Sequence, residues 1–237
     1  MGTYQQPLTP DSNLDSYGQQ GFRLSHFEAL NWGTFDQKIW KMSPQQQNAL
    51  LTGNIGSGKS TLVDGLTTLL VPTRQLAFNK AAGAEDKERS LESYFKGFYT
   101  SQQDEYGKAR AVGLRGKGQH YSVLLAQFDS VALNESLTIA QVFWLKPGES
   151  KVKRLFVVIN EQASIASHFK DFGNQINDLK KQLRKQSQVE LFDSFSTYAQ
   201  AFSQRLGLGA DGKALALFNQ TISMKSVGSK SVTSQTT

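Results

Sequence analysis

Gly53-Asn54-Ile55-Gly56-Ser57-Gly58-Lys59-Ser60 satisfies G-x-x-x-x-G-K-[ST] at every fixed position. Its flanks suit the motif. Asn48-Ala-Leu-Leu-Thr52 reads as a short apolar strand entering the loop. Leu62, Val63, Leu66, Leu69 and Leu70 recur at helical spacing behind it, and Pro72 stops that helix. A strand, a glycine-rich turn and a helix start together make a phosphate cradle. The glycines let successive backbone N–H groups turn inward, and the helix N-terminus adds partial positive charge. Within it, Asn54, Ile55, Gly56, Ser57 and Gly58 supply the wall. Lys59 reaches the β and γ phosphates, Ser60 helps to hold Mg²⁺, and Thr61 meets the α phosphate. The expected cofactors are therefore ATP and Mg²⁺.

Outward from the loop, Phe22–Leu30 alternates as a strand, Asn31–Asp36 turns, and Gln37–Met42 pairs back as a second strand. Residues 73–90 are a polar connection, Leu91–Tyr99 a short helix, and 100–119 a glycine-punctuated loop. Strands are expected over Tyr121–Phe128, Leu137–Leu145 and Leu155–Asn160, with Lys146–Ser150 as a turn. From Ile165 the pattern is helical, over Asn174–Lys185, Phe195–Leu206 and Ala214–Met224. Residues 1–20 and 229–237 are polar and aperiodic and are expected to be a disordered leader and tail around a body at 21–228.

Composition narrows the chemistry. In 237 residues there is no Cys and only three His, scattered at 26, 120 and 168, which excludes a disulfide scaffold and argues against a thiolate or histidine metal centre. No apolar run approaches the roughly 18–20 residues of a membrane span, and residues 1–20 lack the charged and apolar regions of a secretory signal. A cytoplasmic protein without membrane contact is expected. The net charge of +6 permits a polyphosphate or nucleic-acid partner without demonstrating one. Three basic stretches stand out: Lys108…Arg110…Arg115-Gly-Lys117, Lys151-Val-Lys-Arg154 and Lys180-Lys-Gln-Leu-Arg-Lys185. Each reads either as a phosphate-contacting face or as an ordinary solvated one.

Hydrolysis by a P-loop needs an acid at the end of an apolar strand. Leu155-Phe-Val-Val-Ile-Asn160 has Asn160 at that place, which favours an ordinary strand leaving into a turn. Asp129 and Glu161 are the alternatives a self-sufficient kinase or NTPase would need. Trp32, Phe35, Trp40, Phe143 and Trp144 are mainly core candidates, with room for one adenine-stacking residue among them.

The run Phe22-Arg-Leu…Leu30-Asn-Trp-Gly-Thr-Phe35, followed by Leu50–Asp64, resembles the start of an SMC-like ABC ATPase head. Further stretches are similar to the MukB/MksB branch, and within it to the JetC-type ATPases of Wadjet plasmid-defence systems. They are Phe78–Glu85, Ala140–Trp144, Val189–Phe195 and Phe218–Gly228. The resemblance implies an α/β P-loop NTPase fold, here the N-terminal lobe of an ABC/SMC-type head, with a mixed sheet and C-terminal helices. It implies a coiled-coil arm and a second lobe carrying the signature, the second acidic motif and the catalytic Glu, none of which is found in this sequence. The chain is therefore expected to be an incomplete head with no catalytic residues of its own, inactive alone. Implied partners are a second head, kleisin and accessory subunits, a nuclease subunit and double-stranded DNA. The resemblance places a Mg²⁺-touching glutamine near 223–227; Gln220 is the nearest. It places a polar residue close to nucleotide or DNA around Asn79-Lys80. Other readings are a stand-alone kinase or NTPase, and a non-catalytic lobe that regulates a full-length partner.

Overall fold

Strands buried at nearly every position must be covered on both faces. Tyr121–Ser130, Glu135–Trp144 and Lys153–Ile159 are such strands, and they form the centre of a six-stranded sheet. The computed structural model describes residues 21–72, 90–103, 109–115, 120–146, 148–149, 151–170, 172, 175–209 and 212–223. The leader, the 73–89 connection with Asn79 and Lys80, Lys108, Lys117 and the 229–237 tail lie outside the described residues.

In chain order the strands are β1 Arg23–Trp32, β2 Phe35–Met42, β3 Phe98–Gln103, β4 Ala109–Gly113, β5 Tyr121–Ser130, β6 Glu135–Trp144, β7 Lys153–Ile159 and β8 Val189–Phe192. The helices are α1 Lys59–Leu70, α2 Leu91–Lys96, α3 Ile165–His168, α4 Ile176–Leu183, α5 Phe195–Arg205 and α6 Lys213–Ser223. The sheet order is β2-β1-β5-β6-β7-β8, and β3 and β4 form a separate hairpin. The α/β class is as expected, although every strand pair among the described residues is antiparallel, including those of the sheet expected to be mixed. The β3–β4 hairpin occupies a stretch expected to be loop, and its first two residues, Phe98 and Tyr99, were expected to end the preceding helix, which stops at Lys96. The hairpin's glycines obscured a short alternation that two strands satisfy by pairing with each other. Strand β8 was hidden in an expected helical region because its four residues are too few to show a period.

Alternate residues serve two cores. Phe27, Ala29, Trp32, Leu124, Ala126, Ile139, Phe143, Phe156 and Val158 point to the face covered by α1, α2 and α5. Leu30, Val123, Leu125, Ala140, Val142, Leu155, Val157 and Ile159 point to the face covered by α3 and α4. Each fully buried Val, Leu, Ile or Phe side chain among them contributes about 1.5–3 kcal/mol. Ser90, Ser164 and Ser194 cap α2, α3 and α5 by accepting from the backbone N–H three residues on. The buried carboxylate Glu28 accepts from the Ile165 N–H at 2.8 Å and meets Lys41 at 3.3 Å, so its charge is paired.

Gly65 sets how closely α1 lies on the sheet. A Cβ there would stand 2.8 Å from the Phe27 ring and 3.3 Å from Leu124. The C-terminal end of α1 is then fastened from below and beside. Gln141 Nε2 donates to the Thr68 carbonyl at 2.9 Å, and the Tyr198 hydroxyl donates to the Leu69 carbonyl at 3.2 Å.

Candidate phosphate-binding site

The loop at 53–58 leads into α1 at Lys59, and residues 53–57 are exposed. Gly58 is the N-cap, held at φ 87°, and no side chain caps the helix. The first turn of α1 carries no acidic residue that would repel an anion at the loop. Lys59 folds back over the loop. Its Nζ donates to the carbonyls of Gly53 at 2.5 Å and Asn54 at 2.7 Å, and to Ser57 Oγ at 3.3 Å. The cation already spans the mouth of the cradle, which fits a polyphosphate whose oxygens would replace those weaker acceptors. Ser60 and Thr61 occupy the first turn of α1, and the Thr61 methyl packs beneath Gly33.

The turn between β1 and β2 backs this loop. A Cβ on Gly58 would meet the Phe35 ring at 2.7 Å. That turn is held from behind by Arg115, a buried cation that composition alone marked only as part of a basic stretch. Its guanidinium donates to the carbonyls of Gly33, Phe35, Tyr94 and Phe95, and pairs with Asp36 at 3.0 Å. Burial lowers its pKa from the usual arginine value, and Asp36 opposes that shift. Tyr94 adds a second brace by stacking on Trp32 at 4.9 Å and donating its hydroxyl to the buried Asp64 of α1. Neither brace has a sequence signature, because each joins residues 20 or more positions apart.

Other expected residues fall elsewhere. Asn31 Nδ2 donates to the Tyr121 carbonyl, so the loop lies at the Tyr121 end of β5. Asp129 is eight residues along that strand, about 27 Å away at strand rise. Glu161 lies at the same far end, where its carbonyl accepts from Thr138. Asn160 donates to Glu190 there and leaves β7 as an ordinary strand end. Gln220 is exposed on α6 and makes no hydrogen bond to the loop among the described residues. Leu50 and Leu51, expected within a strand, are 88% and 37% exposed and belong to no sheet. They line an open groove of about 520 Å³ with Phe22, Leu24 and Met42.

The basic stretches divide. Arg115 is buried in carbonyls, Arg154 lies over the Phe156 ring, and Lys153 pairs with Glu149 at 2.8 Å. On α4, Lys180 pairs with Asp193, whereas Lys181, and Arg184 and Lys185 just past the helix end, are exposed.

Residues 24–85, about a quarter of the chain, match the family described as the P-loop containing region of an AAA domain. No curated protein matches the chain. Among solved structures it is similar to one described by "Structural biochemistry of ATP-driven dimerization and DNA stimulated activation of SMC ATPases". The identity is 12%, 84% of this chain and 99% of that chain are covered, and the TM-score is 0.37, too low to carry an argument. No described helix is long and apolar enough to cross a membrane.

Proposed function

We propose that this chain is the ATP-binding half of an SMC-like DNA-processing ATPase, its head lobe spanning residues 21–228. The observation that carries the reading is the uncapped start of α1 with Lys59 already drawn across the loop. ATP would lie against Asn54 through Thr61. Ser60 would hold Mg²⁺, with Gln220 as the second candidate ligand. The metal supplies charge neutralisation across the β and γ phosphates when bound. This chain's own contribution is to bind and orient those phosphates.

The second half of the site belongs to other polypeptide surface. Asp129 and Glu161 stand at the opposite end of the sheet, and Leu50 and Leu51 pair with no strand among the described residues. A cytoplasmic JetC-type ATPase, driving DNA loop extrusion in defence against plasmids, is the finer reading. It rests on the sequence stretches quoted above. Its partners would then be a second head, kleisin and accessory subunits, a nuclease and double-stranded DNA, with the exposed cations at the C-terminal end of α4 as the surface for phosphates.

Calorimetry with Mg·ATP tests the reading. The chain is expected to bind Mg·ATP weakly, to lose about 100-fold in affinity on Lys59→Ala as one charge-assisted contact set is removed, and to show negligible turnover. Binding indifferent to Lys59 refutes the cradle. Robust turnover by the chain alone, abolished by Lys59→Ala and by Asp129→Asn or Glu161→Gln, refutes the half-site.

A further inference from the structure

The turn between β1 and β2 meets the start of α1 at two points, and α2 meets it at a third. A Cβ on Gly33 would stand 2.7 Å from the Thr61 methyl, and a Cβ on Gly58 would stand 2.7 Å from the Phe35 ring. The Tyr94 hydroxyl donates to Asp64. Gly58, Thr61 and Asp64 are spaced three residues apart, so they lie along one side of the helix start. That side rests on a platform made by Gly33, Phe35 and Tyr94.

One side chain joins the parts of this platform. Arg115 follows β4 and is buried. A guanidinium carries five N–H donors, and here each has an acceptor. Nε donates to the Phe95 carbonyl at 2.7 Å. Nη1 donates to the Phe35 carbonyl at 3.2 Å and to Asp36 Oδ1 at 3.0 Å. Nη2 donates to the carbonyls of Gly33 at 2.7 Å and Tyr94 at 2.8 Å. Three of the acceptors thus belong to the residues that meet α1. No donor is left for a phosphate, so Arg115 does not touch the ligand. A buried cation with a single carboxylate partner is unfavourable unless further hydrogen bonds complete it. The carbonyls complete it, and the planar fork fixes two chain segments relative to each other. A lysine offers one nitrogen and cannot serve acceptors spread over both segments.

We infer that Arg115 is a positioning residue for phosphate binding: it fixes the platform under the loop and the first turns of α1, and so the aim of the cradle's amides and of Lys59. The inference rests on the cradle reading above. Arg115 acts through Gly33, Phe35 and Tyr94, and its effect falls on the phosphates, whichever base they carry. A binding constellation loses function when its supporting residues let it loosen by about 1 Å.

Calorimetry on the 237-residue chain with Mg·ATP, and with Mg·tripolyphosphate as the phosphates alone, tests this. Arg115→Lys keeps the charge and loses most of the hydrogen bonds. It is expected to weaken both ligands by the same factor, about tenfold. Tyr198→Ala is the control for lost stability outside the platform, and its affinity for both ligands should stay within about twofold of the parent. In the ligand-free lysine variant the amide resonances of Gly58 and Thr61 should move, a change that lowered stability alone does not produce. Arg115→Gln, which needs no buried charge, takes its place should the lysine variant fold poorly. An affinity loss no larger than that of Tyr198→Ala overturns the assignment, as do loop resonances at their parent positions. A loss for ATP with tripolyphosphate binding intact overturns it too. Parent-chain binding that ignores Lys59→Ala defeats the cradle reading and this one with it, whereas Lys59-dependent binding with an inert Arg115 defeats only this one.

Discussion

The two ends of α1 are built to opposite rules. At the C-terminal end, the carbonyls of Thr68 and Leu69 accept from Gln141 and Tyr198, both donors buried, and Val71 closes the last turn by donating to Thr67. At the N-terminal end, Gly58 offers no side chain, no acid sits in the first turn, and the loop before it is exposed. A helix needs both ends satisfied. Here buried side chains fasten one end, and a glycine turn with Lys59 folded over it forms the other. The contrast separates what folds the lobe from what it is proposed to bind, since the fastened end is complete within these residues and the open end is where the proposed phosphates would lie.

Changes at the two ends should therefore be read out by different measurements. The largest effect is expected at the fastened end. Tyr198→Ala removes a wholly buried ring that touches Phe156, Phe195 and Phe202. It should cost about 3–5 kcal/mol of stability. At roughly 2–4 °C per kcal/mol for a chain of this size, thermal melting should fall by about 6–20 °C. Mg·ATP affinity of the folded protein should hold, and a loss of affinity comparable to that of Lys59→Ala would merge the two ends into one unit. The next effect belongs to the open end. Gly58→Ala forces a Cβ into the left-handed region and against the Phe35 ring. Strain and clash together should cost about 1–3 kcal/mol, and Mg·ATP binding should weaken about tenfold as the loop shifts. A variant that melts and binds like the parent would show that the loop is not set by Phe35.

The open end was legible in the sequence and the fastened end was not. A fixed-spacing motif such as residues 53–60 is local, because its chemistry needs consecutive amides and one cation within reach. The strand over residues 48–52 was overread for the same reason. Apolar residues predict a strand only where another strand is available, and Leu50 and Leu51 have none among the described residues. The central strands β5, β6 and β7 were found because burial on both faces gives each an apolar run, Val123–Ala126, Val142–Trp144 and Leu155–Ile159. The β3–β4 hairpin was missed because its glycines mask a short pattern. Arg115 shows the limit most clearly. Its place in a basic stretch suggested an outward face, for phosphates or for solvent, and tertiary contacts with residues 33–36 and 94–95 turned it inward. Spacing along the chain carries no information about such a partner.

The smallest expected effect tests whether the fastened end is a network or two separate bonds. Gln141 is wholly buried in β6, and its amide is the only part of that side chain suited to the Thr68 carbonyl. Gln141→Leu keeps the volume nearly constant and leaves that carbonyl unpaired, which should cost about 1–2 kcal/mol. Tyr198→Phe removes one hydroxyl from Leu69 and should cost about 1 kcal/mol. Burial pushes the Tyr198 hydroxyl well above the ordinary tyrosine range, so it remains a donor at every working pH and the comparison is free of titration. If the two bonds act separately, the double variant loses the sum of the single losses. Because both carbonyls belong to one helix turn, freeing one should loosen the other. The double variant is then expected to lose less than the sum, by about 0.5 kcal/mol or more in denaturant melts. Strict additivity would make each bond a local fastening, and α1 would be held by the packing of Leu69 and Leu70 rather than by its polar end.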